Sequence, residues 1–193
     1  NSEGFGYPEA GLEFDRRAIK VDEHFRTNLP GVYAIGDLIG GMMLAHVAEE
    51  EGIVAARNAM AELSGEFPTQ TVDLACVPAC VYTFPEVAVV CTTRDSAKER
   101  GIDAIQAISK FAANGKALGE GESDGFVQLV AEKGSGRILG CQIVGPHAVE
   151  IIHEVALCIR HGLTVEEIAH TVHAHPTVSE VIKAAAADAA TKV

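Results

Sequence analysis

The sequence predicts an α+β fold in which a central antiparallel sheet is flanked by helices and preceded by the end of an α/β unit. Three observations lead there. Apolar runs of strand length cluster between residues 76 and 144, and two of them are joined by the turn Lys133-Gly134-Ser135-Gly136. Helical periodicity brackets that cluster, over residues 44–63 before it and from residue 149 onward after it. Between the first helix and the strands, a short linker carrying Pro68 marks a change of pattern, so the chain divides into residues 1–67 and 68–193.

The elements follow in order. Residues 1–30 are polar and turn-rich, with Leu12-Glu13-Phe14 and Ile19-Lys20-Val21 as short alternating strands. Val32-Tyr33-Ala34-Ile35 is a short apolar run after a Pro-Gly turn, the pattern of a buried strand, and it stops at Gly36-Asp37. Gly40 and Gly41 break the chain before a helix whose apolar face is read as Leu44, Val47, Ala48, Ile53, Ala56 and Met60. Gly52 interrupts that helix and signals close packing there, since Gly costs about 1 kcal/mol against Ala in a helix.

After the linker, residues 76–82 and 87–91 are strands, and Thr93-Arg94-Asp95-Ser96 opens a short helix ended by Gly101. Residues 104–111 alternate weakly; residues 126–131 and 138–144 are the two arms of the hairpin. Residues 149–160 form an amphipathic helix stopped at Gly162, and Thr164 with Glu167 opens another as a capping box. A last, Ala-rich helix runs from Pro176 to the end. Its small apolar face and the apolar strands are expected to need cover from a second copy.

Composition narrows the function. With 48% of 193 residues hydrophobic the chain can build a core, which excludes a disordered polymer. No apolar run approaches the roughly 20 residues of a membrane-spanning helix. Fifteen basic against 27 acidic residues leave a formal charge of -12, which repels nucleic-acid phosphates. Cys76, Cys80, Cys91, Cys141 and Cys158 are odd in number and scattered, which suggests a reducing compartment, cytoplasm or mitochondrial matrix. Cys76 and Cys80, spaced C-x3-C inside an apolar run, read as small core residues. The first residues lack an initiator Met and any targeting pattern, so the chain is expected to be part of a longer one.

Two clusters could carry chemistry. In His170-Thr171-Val172-His173-Ala174-His175-Pro176-Thr177-Val178-Ser179-Glu180, three readings compete. Thr177 and Glu180 fit a capping box. His170, His173 and His175 could ligate a metal, although no Cys or carboxylate spacing completes a set. His175 could instead be a proton acceptor oriented by Glu180 across the bend at Pro176, an imidazole whose basicity a carboxylate raises. Cap and dyad are expected to compete for the same glutamate.

In the second cluster, Asp37 follows an apolar run and a glycine, where a carboxylate can accept from sugar-alcohol hydroxyls. The helix start at Leu44 to His46 would offer backbone N–H groups to an electron-rich ring. The alternative is that Asp37 caps a turn. The glycines at 134, 136 and 140 fall between two strands and belong to a hairpin, not a phosphate loop.

Several of these segments carry a family resemblance. Val32-Tyr33-Ala34-Ile35-Gly36-Asp37, Met43-Leu44-Ala45-His46 and Glu49-Glu50-Glu51-Gly52 resemble the end of the FAD domain in the flavin disulfide oxidoreductases. Val77-Pro78, Tyr82-Thr83, Pro85-Glu86-Val87-Ala88, Phe111-Ala112-Ala113-Asn114, Leu139-Gly140 and His173-Ala174-His175-Pro176-Thr177-Val178-Ser179-Glu180 are similar to their interface domain. Met-Leu-Ala-His with His-Ala-His-Pro-Thr-x-Ser-Glu points to the dihydrolipoamide-oxidising members; the glutathione and mercuric reductases share the plan but differ at the first motif.

The resemblance implies FAD and NAD as cofactors, a homodimer, and dihydrolipoamide carried on an acyltransferase of a 2-oxo acid dehydrogenase complex. It implies His175 as base with Glu180 as partner, Asp37 on the flavin's ribityl chain, and Met43, Leu44, Ala45 and His46 lining the flavin. It also implies a cis bond before Pro176. Phe84 departs from the family, which commonly has His there, and Cys80 and Cys91 are unusual at their positions. Neither a Cys-x4-Cys nor a Gly-rich nucleotide loop occurs, so the isolated chain is expected to be inactive. A bare dimerisation module is the alternative.

Overall fold

The computed structural model describes residues 4–193, which fall into two compact units dividing between Leu74 and Ala75. In the first, β1 (Phe14–Asp15) and β2 (Ala18–Ile19) form a two-stranded hairpin, Gly36–Leu38 make a single 3-10 turn, and α1 spans Ala45–Leu63. The expected strand at residues 32–35 is extended but joins no ladder. Of these four residues Tyr33 bridges Arg26, flanked by backbone bonds from Thr27 N–H to Val32 O and from Ala34 N–H to Phe25 O.

The buried stripe of α1 also differs from its apolar periodicity. Val47, Glu51, Val54, Ala55 and Asn58 face inward, whereas Ile53 and Met60 are exposed. Two polar residues displace the apolar ones because each satisfies backbone groups that no ladder serves. Asn58 Nδ2 donates to the carbonyls of His24 and Gln70, at 3.2 and 2.9 Å, and its Oδ1 accepts from Gln70 N–H at 3.1 Å. That bonding ties the stretch after Pro68 to the first unit. Gly52, read as a close-packing site, has open space where a Cβ would stand.

The second unit is built on a five-stranded antiparallel sheet of order β3-β4-β7-β6-β5. Its strands are β3 (Pro78–Val81), β4 (Glu86–Cys91), β5 (Ala104–Lys110), β6 (Phe126–Glu132) and β7 (Ile138–Gly145). Alternation sends Ala88 and Val90 of β4, Ala107 of β5, Val127, Leu129 and Ala131 of β6, and Cys141 and Ile143 of β7 into one core. Two helices close that core: α4 (Ala148–Arg160) with Ile152 and Val155, and α6 (Glu180–Ala190) with Val181, Ile182, Ala185, Ala186 and Ala189. The Ala-rich helix expected to lie open to a second copy is therefore buried by its own chain. Its small residues let it approach the sheet closely. Among the strand residues, Val81, Val89 and Ile108 are exposed.

Three short helices connect these layers: α2 (Arg94–Glu99), α3 (Gly115–Glu120) and α5 (Val165–His170). The Thr93–Ser96 capping box opens α2, and the Glu167 carboxylate accepts from Thr164 N–H at 2.7 Å to open α5. α3 is absent from the sequence expectation, its six residues being too few to show a period. The last helix begins at Glu180 rather than Pro176, and residues 176–179 form a turn.

Close approach requires glycine at positions 125, 140 and 145; a Cβ on Gly125 would run into the backbone of Val144. A Cβ on Gly140 would run into the backbone of Thr92, and one on Gly145 into the ring of Phe111. Gly140→Ala is expected to destabilise the protein by about 3 kcal/mol in chemical denaturation, the upper range for overpacking a rigid site. Gly52→Ala should do the reverse, raising stability by roughly 0.5–1 kcal/mol through the helix backbone alone. Loss of stability in the second variant would show that its open flank is filled in the intact protein.

Candidate functional site

Each unit presents one candidate site. In the first unit the backbone turns at Gly36, whose φ of +68° is left-handed and whose Cβ position lies 3.1 Å from the Ala48 methyl. Gly36 N–H donates to Glu51 Oε2 at 2.7 Å, and Glu51 is only 6% exposed. This buried, charge-assisted bond from α1 fixes the turn and sets Asp37 on the surface. Among the described residues the Asp37 carboxylate accepts no hydrogen bond, so it caps no turn there.

Gly40 and Gly41, both left-handed, then lead into α1. Its N-cap is Leu44, which offers no side-chain acceptor, so the N–H groups of the first turn receive no cap from it. Met43, Ala45 and His46 are exposed and Leu44 is half-buried. Asp37 and residues 43–46 thus lie on one short stretch, Gly36 to α1, with an acceptor-only carboxylate at one end and donors at the other. That donor set fits a hydroxyl-bearing chain running into an electron-rich ring.

In the second unit the site is the loop between α5 and α6. The peptide bond His175–Pro176 is cis. His175 Nδ1 faces the Glu180 carboxylate, 3.0 Å from Oε1 and 3.2 Å from Oε2. The same carboxylate accepts from Thr177 N–H through Oε2 at 2.9 Å. Cap and dyad, expected to compete, share the glutamate, because its two oxygens offer several lone pairs and the cis bend brings both donors to them. Only half of the capping box forms, since Thr177 Oγ1 donates to Ala174 O instead.

Protonation follows from these partners. The Thr177 N–H, and after it the His175 ring, hold the Glu180 carboxyl below its usual range against a small opposing effect of burial. An ionised carboxylate only accepts, so His175 Nδ1 carries the proton and Nε2 keeps its lone pair. The ring is 76% exposed and Nε2 meets nothing else among the described residues. The arrangement can take a proton from a group brought to the surface and stabilise the resulting imidazolium.

His170, His173 and His175 do not converge. His173 turns to Glu154, and among the described residues no group of three or more His, Cys, Asp or Glu is arranged to hold a metal ion. Burial disfavours the thiolate at four of the cysteines: it pushes Cys80, Cys141 and Cys158 up and, with the Cys76 sulfur, takes Cys91 up to about 12. Cys76 and Cys80 pack against the core.

Sequence reasoning overlooked the residues that hold the two sites, Glu51 and Asn114. Asn114 is 6% exposed; its Oδ1 caps α3 at Ala117 N–H, 2.9 Å away, while Nδ2 donates to Thr177 O at 3.0 Å. An Asn directly before Gly115 was a usable capping signal.

Comparison with known proteins places both units. Residues 77–186 match the family model described as pyridine nucleotide-disulphide oxidoreductase, dimerisation domain, and residues 1–52 match that of pyridine nucleotide-disulphide oxidoreductase. The chain is 44% identical over 187 residues to a dihydrolipoyl dehydrogenase of Bacillus subtilis, covering 96% of this chain and 38% of that one. It is 42% identical over 185 residues to the mitochondrial dihydrolipoyl dehydrogenase of Canis lupus familiaris, covering 95% and 35%. Among solved structures it superposes on LpdA from Mycobacterium tuberculosis with a TM-score of 0.81 at 30% identity, over 97% of this chain and 40% of that chain. The flavoprotein disulfide reductase RclA from Escherichia coli shares the fold, with a TM-score of 0.87 at 24% identity over 97% and 42%. The chain spans less than half the length of these relatives.

A pH-dependent stability follows from Glu180. Its folded-state carboxyl titrates below the unfolded one, so its contribution is complete above the ordinary value of 4.5 and lost as pH falls through the folded value. The melting-temperature gap between the wild type and Glu180→Gln should hold down to about pH 4.5, narrow below it and close once the pH has passed the folded value. A gap that stays constant in acid would show that the carboxylate is not held ionised by its two donors.

Proposed function

The chain belongs to the pyridine nucleotide-disulphide oxidoreductase family, and on that footing we propose that it is the C-terminal portion of a flavoprotein that oxidises dihydrolipoamide to lipoamide with NAD+ as final acceptor. Residues 1–67 are then the end of the FAD- and NAD-binding region and residues 68–193 the interface domain. The names of its relatives support the substrate, and the dimerisation-domain match supports a homodimer.

The observation that carries the reading is an imidazole held through Nδ1 by an ionised carboxylate with Nε2 turned outward. Thiol–disulfide exchange needs a thiolate, and a free thiol near pKa 8.5 is mostly protonated at neutral pH. His175 Nε2 takes the proton from one thiol of dihydrolipoamide, and Glu180 stabilises the charged ring. The thiolate attacks a disulfide contributed by the second copy of the protein. The substrate loses two protons and one electron pair, which leave as NADH and one proton, and the other pair becomes the S–S bond of lipoamide.

On the first unit, Asp37 would accept from the ribityl hydroxyls of FAD, and Met43, Leu44, Ala45 and His46 would line the ring, largely by backbone. Flavin bound there supplies the redox chemistry that joins dithiol to nicotinamide. Both cofactors also need regions outside this chain, which has no Gly-rich nucleotide loop. In this reading the dihydrolipoamide is carried on an acyltransferase of a 2-oxo acid dehydrogenase complex, in cytoplasm or mitochondrial matrix.

His175→Gln in the full-length protein tests the proposal. Dihydrolipoamide:NAD+ turnover is expected to fall about 10²–10⁴-fold, the range for loss of a positioned base, with flavin content unchanged. Turnover within a few-fold of wild type would remove His175 from the mechanism.

A further inference from the structure

Two residues before the outward imidazole, a second histidine repeats the arrangement facing inward. The His173 side chain is 7% exposed, and its Nε2 lies 2.9 Å from Glu154 Oε1 on α4. Its Nδ1 lies 3.1 Å from the carbonyl oxygen of Thr171. Each ring nitrogen faces an acceptor within the protein, so whichever one donates, neither is open to a substrate. This histidine is excluded as the base by its own bonding. It is well suited to hold the base in place.

The loop from Thr171 to Ser179 has no ladder to support it, so side chains must fix its backbone. Lys183 Nζ donates to Thr171 O at 2.8 Å, and Asn114 holds the carbonyls of Thr177 and Val178. Between those anchors, His173 ties the middle of the loop to α4. Its partner Glu154 is rigidly placed: the adjacent Val155 and the preceding Ile151 and Ile152 are buried in the core. The chain Glu154–His173 therefore passes the position of a packed helix to the backbone two residues from His175.

We infer that Glu154 and His173 are positioning residues which, through the loop backbone, hold His175 Nε2 where a thiol proton is accepted. The inference rests on the proposed role of His175. A displacement of about 1 Å at a reacting group lowers rate on the order of 10²-fold without weakening substrate binding. The loss should thus appear in kcat and not in KM, and it should exist only while His175 is present.

The test is a double-mutant cycle in the full-length protein, measuring dihydrolipoamide:NAD+ turnover for the wild type, Glu154→Ala, His175→Gln and the double variant. Glu154→Ala is expected to lower kcat about 10–100-fold with KM within two-fold. In the His175→Gln background the same change should cost less than about two-fold, because residues acting through one another are not additive. Glu154→Gln, whose amide oxygen still accepts from His173 Nε2–H, should restore kcat to within about three-fold of wild type. If Glu154→Ala does not fold, Glu154→Asp replaces it in the cycle: the charge stays but the reach to Nε2 is shortened, and the same kcat loss is expected.

An undiminished Glu154 loss in the double variant overturns the inference, as does unchanged kcat in the single one. Retained turnover in His175→Gln alone is a different failure. It removes the base, and with it the reading on which this inference rests.

Discussion

One carboxylate connects the core of the second unit to its reactive surface. Glu180 opens α6, and the place of α6 is set by Val181, Ile182, Ala185, Ala186 and Ala189 packing on the sheet. The carboxylate therefore inherits the precision of a close-packed interior. From there it accepts from Thr177 N–H and from His175 Nδ1, fixing first the backbone of the bend and then the plane of the ring. Neither bond alone would suffice. Without the backbone amide the glutamate could swing away from the loop, and without its bond to the carboxylate the imidazole would sample both tautomers.

The two histidines of this loop show how role follows from which nitrogen is left over. Both pair with a glutamate from a neighbouring helix at about 3 Å. His173 spends its second nitrogen on Thr171 O and is enclosed, so it can only hold. His175 spends one nitrogen and leaves the other in solvent, so it can accept. The residue types are the same in the two pairs, and burial together with the surroundings of the second nitrogen separates anchor from base.

That distinction explains what the sequence could reveal. The strands, the Lys133–Gly136 hairpin and the caps of α2 and α5 were legible because period-2 alternation and Thr-x-x-Ser/Glu spacing are local signals. The dyad was legible as residue types on either side of a proline, but whether Glu180 would cap or orient was not, since the answer lay in a bend that lets it do both. Residues 32–35 read as a strand from composition, yet a strand exists only where a neighbour accepts its bonds, and composition does not show the neighbour. Asn114 acts over 63 residues of chain and Glu154 over 19, so no local window contains both members of either contact.

The overlooked residues share a physical cause. A functional loop has no ladder, and its buried N–H and C=O groups must still be met. The donors and acceptors that meet them come from rigid elements, which means polar residues occupying positions that would otherwise be apolar. Glu51 and Asn58 stand in the buried stripe of α1 beside Val47, Val54 and Ala55; Glu154 stands next to Val155 on α4; Asn114 is buried at the N-cap of α3. Each reaches a loop rather than another helix. Glu51, in the buried stripe of α1, holds the turn that carries Asp37, and Glu154 of α4 with Asn114 at the start of α3 hold the loop that carries His175.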